Sequence, residues 1–426
     1  MNRADVLVIA ALPEELEAAK VAGLASNPSG SGVHHWEEVD RDGVPPFSWG
    51  EYRVDGRTRF TVALARPTQM GGRTTGPFTA SLVHGIRPTS LVMCGVCAGN
   101  PADTALGDIV IGEPVYEWDE GKQSASGFEG DHRQFRLDPR WQRAAQDFLA
   151  SSVTSFGDAN EDEASLWFLE QLHRGQQPRN HPARSQYFPS GTWQPRLTRL
   201  EEQGMIRRES TGDAVLTGYG SDFVQRRLYD DAEGPQRLPF RVLTAPMASG
   251  SSVIADSDVW SRIKAMGMRK ITAVEMEAAT IATVAHEQRL HWLVVKGVMD
   301  HADTEKDDRY KQFAAHASAQ VMFALLERLA PAAMVSADNP SIEPLIATGA
   351  ESSRDPTTAP SAFKSATEFP SAKPLPAELE NAVRSARSYL ATSAFSRKGL
   401  IEQLSSDSGA GFTNSEAVHG VSQAGL

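Results

Sequence analysis

Short apolar runs separated by polar or glycine-rich turns dominate two stretches of the chain, residues 1–128 and 239–330. Runs of this length predict buried strands, and the amphipathic segments that follow some of them predict helices. The first strand is predicted at the start of the segment 6–19, and further strands are predicted at residues 60–65, 243–254, 270–274 and 292–299. Strands that alternate with helices are typical of α/β proteins, so the pattern predicts that fold class.

Two carboxylates follow predicted strands. Glu277 comes after the run 270–274 and opens an Ala-rich helix, and Asp300 ends the run 292–299. The two strands are predicted to be adjacent, and both acids to lie at their carboxyl ends, where open α/β sheets bind ligands. Apolar surroundings there favour the shifted pKa values that catalysis uses. The simpler alternative is that Glu277 only caps a helix and Asp300 only begins a turn.

The arrangement of acids resembles the purine nucleoside phosphorylase / methylthioadenosine nucleosidase superfamily. In that family a Met-Glu pair grips the ribose and an aspartate protonates the departing base 23 residues later, which is the spacing between Met276-Glu277 and Asp300. The segment VLVIAALPEELEAA (6–19) looks like the family's opening, in which a glutamate activates water, and Glu15 is the matching residue. The resemblance implies a three-layer αβα core of the nucleoside phosphorylase type.

Two glycine-rich segments extend the resemblance. Residues 93–115 look like the family's turn before the strand under the sugar, and residues 65–76 form a second such turn. Glycine lets backbone N–H groups approach a ligand closely, so Gly95 and Gly71 are predicted to contact the substrate. Arg73, together with Arg66, is predicted to bind phosphate, either inorganic phosphate or that of a nucleotide.

The resemblance gives each acid one role. Asp300 is the general acid toward the purine, Glu15 orients and deprotonates water, and Glu277 accepts hydrogen bonds from the ribose hydroxyls. Met276 packs on the sugar. The loop after the first strand reads Ala-Leu-Pro-Glu-Glu, where phosphorylases of the family carry an arginine. Hydrolysis is therefore predicted, and phosphate-dependent phosphorolysis is the alternative.

Base recognition is predicted at Val253 and Ile254, because residues 243–254 resemble the strand whose end cradles the purine. Adenine-specific nucleosidases typically stack a Phe on the base where this chain has Val253, so that aromatic face is missing. Backbone groups at Ile254 would survive the change, and a purine stays the predicted base. The number of phosphates is open, because some relatives in bacterial defence systems cleave nucleotides.

Composition limits the function classes. The chain has 426 residues, a formal net charge of −12 and a pI near 5.5, which argues against general affinity for nucleic acid or acidic membranes. It has neither an apolar run of about 18 residues nor a basic-then-apolar leader, so a cytoplasmic protein without membrane contact is expected. Cys94 and Cys97 lack further zinc ligands at suitable spacing. Neither a metal nor an organic cofactor is expected.

An extra segment interrupts the predicted core. The expected parts are a first core part (1–128), an inserted winged-helix-like domain (129–238), a second core part (239–330), a disordered linker (331–376) and a helical module (377–426). In the insertion, a helix over 163–173 and the segment 191–228 resemble the winged helix-turn-helix of multiple-antibiotic-resistance regulators. Arg196, Arg199, Arg207 and Arg208 give this segment a basic streak. They suit DNA phosphates, but nearby acids dilute their charge, so DNA contact and protein docking both stay open.

The last fifty residues resemble the repeat of Ltp-type host cell surface-exposed lipoproteins, through motifs such as Ser388-Tyr389-Leu390 and Phe395-Ser396-Arg397. In those proteins the repeat acts in blocking phage DNA entry, which implies a protein partner here; a stability or oligomer cap is the alternative. The expectation is a homo-oligomeric nucleosidase that acts as a regulated effector of phage defence. The competing class is a non-catalytic nucleoside sensor coupled to DNA binding.

Overall fold

The computed structural model describes residues 3–25, 30–125, 127–230, 234–268, 270–303 and 308–333, together with isolated residues between 383 and 422. The chain divides into two compact units, Met1–Ile342 and Glu343–Leu426. Most of the predicted linker and of the predicted C-terminal module lies outside the described residues. Ala386, Leu404 and Val421, which are described, are buried.

Strands form the centre of the first unit. They are β1 (Val6–Ile9), β2 (Gly32–Val33), β3 (Glu37–Arg41), β4 (Val44–Val54), β5 (Arg57–Ala65), β6 (Ser90–Gly99), β7 (Ile109–Glu117), β8 (Gly121–Ser124), β9 (Gly127–Gly130), β10 (Ile206–Arg208), β11 (Ala214–Leu216), β12 (Val242–Ser249), β13 (Ala273–Glu275) and β14 (His291–Asp300). Most residues of β6 and β14 are buried apolar side chains, which is typical of strands covered on both faces.

The main sheet has the order β13-β12-β7-β14-β6-β1-β5-β4-β2, with β3 paired to β4. β6 runs parallel to both β1 and β14. β13 pairs with β12 in parallel and also with β6 in antiparallel orientation. Five strands, β13, β12, β7, β14 and β6, therefore close into a ring.

Helices cover this sheet. They are α1 (Pro13–Gly23), α2 (Gly72–Ile86), α3 (Pro139–Gln146), α4 (Glu161–His173), α5 (Arg184–Tyr187), α6 (Trp193–Glu202), α7 (Gly218–Asp230), α8 (Val259–Ala265), α9 (Ala278–Glu287) and α10 (Lys311–Ala333), with short 3-10 turns at Ala150–Ser152, Pro178–Asn180 and Asp308–Tyr310. Helix α1 begins with a proline and two glutamates, residue types that favour a helix N-terminus. No helix in the described ranges combines the length and the apolar character needed to cross a membrane.

The helices pack in pairs on opposite faces of the sheet. Helix α1 packs on α10 and α2 packs on α9, and both α9 and α10 contact β14 and β6. Neighbouring residues of a strand face opposite sides. On β14, a side chain at Gly297 would meet Ala314 of α10, whereas Lys296 points to Glu277, at the start of α9. The α/β fold class with helices on both faces is confirmed.

Two predicted segments differ from the structure. The strand predicted over 243–254 ends at Ser249, so Val253 and Ile254 lie on a loop. The segment around Gly95, predicted to be a turn, is the second half of β6. Cys94 and Cys97 are buried, free thiols of this strand, and burial raises the pKa of both.

The predicted insertion contains its own hydrophobic cluster around Trp167, Phe168 and Phe188. The helix predicted over 163–173 is present as α4, whose first turn carries a capping box formed by Asn160 and Glu163. Helix α6 leads into β10, which pairs with β11 before α7 begins. The winged-helix assignment of this segment stays a prediction.

One part of the range predicted for the insertion packs elsewhere. Leu137, Trp141 and Phe148 belong to the hydrophobic core around the main sheet. Helix α3, which carries Trp141, contacts β12 and α10. The separate cluster of the insertion takes in residues from Ala159 onward, together with Ala105 from the core.

Buried ion pairs join α4 of the insertion to the segment that follows Asp300. Glu170 lies 3.3 Å from Arg309 and 3.9 Å from Arg174, and Arg174 lies 3.3 Å from Asp303. The side chains of Glu170, Arg174 and Arg309 are at most 8% exposed. We call these four residues the junction network.

Candidate active site

Residues from distant parts of the chain line one pocket of about 250 Å³ in the first unit. Of the predicted site residues, it brings together Glu15, Val253, Ile254, Met276, Glu277 and Asp300. The strands that deliver two of these acids are not neighbours, contrary to the prediction. β13 runs antiparallel to β6, and both Val274 and Asp300 pair with Ala98 of β6. The acids therefore meet because the five strands close into a ring, and not because they lie on adjacent parallel strands.

Glu15 is held by backbone amides at the start of α1. Its Oε2 accepts hydrogen bonds from the N–H groups of Ala11 (2.8 Å) and Leu12 (3.0 Å), and its Oε1 accepts one from Val96 (2.7 Å). The residue is only 2% exposed. Three N–H donors stabilise an ionised carboxylate in one orientation, as a group that positions and deprotonates water requires.

Gly95 makes room for that carboxylate. Its φ is +154°, and a Cβ at this position would overlap the carboxylate of Glu15. Its N–H points to Ser318, whose Oγ lies 3.3 Å away. Gly95 was predicted to offer its backbone to the substrate; in the structure its N–H is used by Ser318 and its missing side chain admits Glu15.

Glu277 lies between β13 and α9 and is 4% exposed. Its Oε1 accepts a hydrogen bond from the N–H of Gly71 (2.7 Å), and its Oε2 lies 3.5 Å from Nζ of Lys296. Burial raises the pKa of Glu277 to about 7, although the Lys296 ammonium acts in the opposite direction. The carboxylate is thus fixed at both oxygens and changes charge near neutral pH.

Lys296 and Glu275 complete the floor of the pocket, and the sequence predicted neither. Lys296 is 1% exposed, and its Nζ lies 3.5 Å from Oε2 of Glu275. Burial alone would lower the pKa of Lys296, but Glu15, Glu277 and Glu275 together raise it above its ordinary value. Lys296 is therefore a permanent buried cation among three carboxylates. We call these four residues the pocket network.

Glu275 also organises the turn that carries Glu277. It accepts hydrogen bonds from the backbone N–H groups of Glu277 and Ala278, each 2.9 Å long, and from Oγ of Ser249 at 2.5 Å. These bonds fix the N-terminus of α9 at the end of β12. A carboxylate near a helix N-terminus is stabilised by the free N–H groups there.

Asp300 ends β14 just after an irregularity in the pairing with β6, between Val298 and Asp300. Such irregularities re-aim a side chain. Asp300 is 7% exposed, and its Oδ1 accepts a hydrogen bond from the N–H of Ala302 (2.8 Å). Behind it, His301 is buried, and burial lowers its pKa to about 4. His301 is therefore neutral at physiological pH, and Asp300 is the acid that faces the pocket.

The remaining predicted residues occupy different positions. Met276 lines the pocket beside Glu277, and Ile254 and Val253 line it from the loop after β12, where Val253 is 58% exposed. Gly71 contacts Glu277 rather than open pocket space. Arg73 is exposed in the first turn of α2 and does not line the pocket, so its role in binding phosphate stays a prediction. Nothing in the described residues forms a metal-binding group of three or more His, Cys, Asp or Glu.

The missed residues left one signal in the sequence. Lys296 is the single charged residue within the apolar run 292–299, and a buried lysine needs a carboxylate partner. Glu275 belongs to the same short segment as Glu277. The sequence alone does not show that these residues meet, because β13 and β14 are joined through β6.

A comparison with protein families locates two parts of the chain. Residues 210–331 match the family described as Phosphorylase superfamily. Residues 377–423 match the family described as Host cell surface-exposed lipoprotein. The predicted resemblances are thus confirmed for residues 239–330 and 377–423, and the first match also takes in residues 210–238, which were assigned to the insertion. Each matched segment is less than half of the chain.

Individual proteins resemble longer parts of it. ATP nucleosidase Cap17 of Escherichia coli is 24% identical over 324 residues, 75% of this chain and 50% of that protein. A 5'-methylthioadenosine/S-adenosylhomocysteine nucleosidase of Glaesserella parasuis is 31% identical over 98 residues, 22% of this chain and 42% of that protein. The chain spans about half the length of the curated relatives it matches. The crystal structure of the corresponding nucleosidase from Neisseria meningitidis has 18% identity and a TM-score of 0.44, and the match covers 76% of this chain and 99% of that one.

Proposed function

We propose that this protein is an N-glycosyl hydrolase that cleaves a purine nucleoside or nucleotide into the free base and the sugar. The observation that carries the proposal is the meeting of Glu15, Glu277 and Asp300 in one pocket, although they lie far apart in the chain. The names of two relatives, an ATP nucleosidase and a methylthioadenosine/S-adenosylhomocysteine nucleosidase, support the same reaction class.

The chemistry uses one acid for each step. The bond between C1' and the purine nitrogen breaks, its electron pair passes to the base, and Asp300 donates a proton to the base. The sugar develops positive charge, as in other glycoside cleavages. A water oxygen then bonds to C1' while Glu15 takes its proton. Glu277 accepts hydrogen bonds from the ribose hydroxyls and holds the sugar between the two acids.

Hydrolysis is favoured over phosphorolysis by the charge around Glu15. Phosphate would have to enter beside the carboxyl group of Glu15, which three N–H groups hold in place. The Arg73 guanidinium, which was predicted to bind phosphate, is exposed outside the pocket. An anionic nucleophile is repelled there, whereas neutral water is not.

The base is proposed to lie against the loop of Val253 and Ile254. Val253 is largely exposed and offers no aromatic face, so recognition would rest on backbone groups near Ile254 and on Asp300. This arrangement suits a purine, whose ring nitrogens accept and donate hydrogen bonds at its edge.

A regulatory role is the finer part of the proposal. The insertion contacts the segment after Asp300 through the junction network, and the C-terminal residues match an Ltp-type family. We infer a homo-oligomeric effector of phage defence that a protein partner, or DNA at the insertion, switches on. Plaque counts on cells expressing the wild type or Asp300→Asn test this. Equal phage growth in both would remove the defence role and leave the hydrolase proposal in place.

The deciding experiment for the hydrolase is release of free base, followed by chromatography. Methylthioadenosine, adenosine, inosine, guanosine, AMP and ATP are each tested with and without phosphate. Asp300→Asn and Glu15→Gln should slow release by about 10²–10⁴-fold. Asp147 is an exposed aspartate at the C-terminal end of α3. Asp147→Asn is therefore the matched control and should release base at the wild-type rate.

Each other outcome points to a different class. Release that requires phosphate identifies a phosphorylase. If no substrate releases base but Glu15→Gln and wild type bind a nucleoside equally, the protein is a sensor and the hydrolase proposal fails.

A further inference from the structure

Lys311 lines two spaces of the first unit, the candidate pocket and a wider groove. It lines the pocket that contains Glu15 and Asp300, and it also lines an adjoining groove of about 760 Å³. The groove is bounded by α1 on one side and by the start of α10 on the other, with Glu14 and Phe313 among its lining residues. Lys311 is therefore within reach of a ligand group in either space.

The two cationic side chains among the described lining of the pocket differ in availability. Lys296 is 1% exposed and is held by buried carboxylates on the floor. The side chain of Lys311 is 25% exposed, and its Nζ lies 3.4 Å from Oε1 of Glu14, whose side chain is 58% exposed. An exposed ion pair of this kind contributes little to stability, so another anion can replace Glu14 at little cost.

The direction in which carbon 5' of the sugar points follows from where the base and the ribose hydroxyls are bound. The base lies at Asp300 and Ile254, and the ribose hydroxyls lie at Glu277, if the proposed function holds. The remaining described lining contains apolar residues such as Leu12, Met70 and Met299, and its charged members besides Lys311 are Glu15 and the buried floor residues Glu275 and Lys296. Carbon 5' of the sugar would then leave toward the groove, where a phosphate meets an ammonium group.

We propose that Lys311 binds the 5'-phosphate of the substrate, in place of Glu14, and so makes the pocket selective for purine nucleoside 5'-phosphates over nucleosides. This inference rests on the proposed function. Phosphate competes well for Lys311, because a charge-assisted hydrogen bond to a phosphate is stronger than an exposed carboxylate pair. Arg66 adds positive charge nearby, since it acts together with Lys311 on Glu14.

Glu14 is the natural competitor. A hydrogen bond with its own backbone lowers the pKa of Glu14, and the charges of Lys311 and Arg66 act in the same direction. The carboxylate is therefore ionised at neutral pH, both occupying Lys311 and repelling a phosphate. Removing the charge of Glu14 and removing that of Lys311 should change the preference for nucleotides in opposite directions.

The test measures kcat/KM for matched pairs of nucleoside and 5'-monophosphate with adenine, guanine or hypoxanthine as base. Wild type should prefer the monophosphate. Lys311→Met should lower kcat/KM for the monophosphate by about 10- to 100-fold, as loss of a hydrogen bond between charged groups predicts, and that for the nucleoside by less than about 3-fold. Lys311→Arg should retain most of the preference, and Glu14→Gln should raise it about 3-fold.

Lys20→Met is the matched control. Lys20 pairs with the exposed Glu38 and has a side chain 23% exposed, but it does not line the pocket. Its replacement should leave kcat/KM for both substrates unchanged. In wild type the preference should shrink between about 20 and 200 mM salt, because screening weakens exposed charge pairs.

The outcomes separate this inference from the proposed function. If Lys311→Met lowers kcat/KM equally for both substrates, or if wild type prefers the nucleoside, the phosphate-site proposal is wrong. The hydrolase proposal is not affected by either result. Release of base from no substrate at all overturns both.

Discussion

Two networks of buried ion pairs differ in their balance of charge. The junction network pairs two arginines with two acids, Glu170 and Asp303. The pocket network sets one ammonium, that of Lys296, among the carboxylates of Glu15, Glu275 and Glu277. Within the residues that the structure describes, the first has as many cations as acids and the second has an excess of negative charge.

The difference separates a structural network from a functional one. Burying a charge is costly unless a partner neutralises it, so a balanced set is expected where the only task is to hold two elements together. Burial raises the pKa of one of these carboxylates, Glu277, to about 7, and its neighbours Glu275 and Glu15 act in the same direction, against the ammonium of Lys296. Perturbed pKa values of this kind cluster at functional sites. The charge balance of a buried network thus indicates its role before any ligand is known.

The largest effect is expected from Lys296→Met. This change removes the one cation of the pocket network and leaves its carboxylates unpaired, so the free energy of unfolding should fall by about 3–5 kcal/mol. Urea denaturation measures the loss. Lys20→Met, which breaks an exposed pair, should cost less than about 1 kcal/mol. A Lys296→Met protein as stable as wild type would show that the pocket network needs no cation.

Glu170→Gln is expected to have the next largest effect. It leaves Arg309 and Arg174 without their shared carboxylate, although Asp303 still lies 3.3 Å from Arg174. The free energy of unfolding should therefore fall by about 2–3 kcal/mol, less than for an isolated buried charge. Base release per folded molecule should stay within about 3-fold of wild type if the network is structural. A much larger loss of activity at unchanged stability would mean that the junction network controls Asp300.

The two networks also show which residues could be predicted from the sequence and which could not. Glu15, Glu277 and Asp300 were predicted because each lies in a short local motif with a resemblance to a known family, and all three line one pocket. Lys296 was not, because one lysine in an apolar run does not reveal which strand lies beside it. The pairing of Arg174 with Asp303 spans 129 residues and has no local pattern at all.

Local chemistry was predicted better than geometry. The helix over 163–173 was found from its apolar period and is present as α4. Gly95 was correctly marked as special, but its predicted turn is a strand, because alternation of small and apolar residues suits both. The antiparallel pairing of β13 with β6 depends on closure of the sheet, which no single segment encodes.

The pH dependence of kcat/KM tests whether the protonation of Glu277 controls catalysis. Ribose hydroxyls donate hydrogen bonds, so they need the ionised form of Glu277, whose pKa is about 7 in the empty pocket. The value of kcat/KM should rise with pH, about tenfold per unit below pH 7, and level off above it. In Glu277→Gln this rise should be absent and the remaining activity low.

Stability should change with pH in the opposite direction. The folded protein holds the proton of Glu277 up to about pH 7, whereas the unfolded chain releases it near the ordinary value of 4.5. The free energy of unfolding therefore falls as pH rises through this window, and it should fall less in Glu277→Gln. Equal slopes in the two proteins would show that Glu277 is already ionised in the folded state.

The smallest effect is expected on the surface of the insertion, where the arginines are paired locally and exposed. Arg199 pairs with Glu161, and Arg208 lies 3.1 Å from Glu201. Arg199→Ala should change the free energy of unfolding by less than about 1 kcal/mol. It should also leave binding to a 30-base-pair DNA duplex unchanged in fluorescence anisotropy, because Glu161, Glu201 and Glu202 offset the positive charge of this surface. A tenfold loss of affinity that weakens with added salt would instead show that DNA displaces Glu161, and that exposed pairs in this protein, unlike its buried networks, are reserved for a partner.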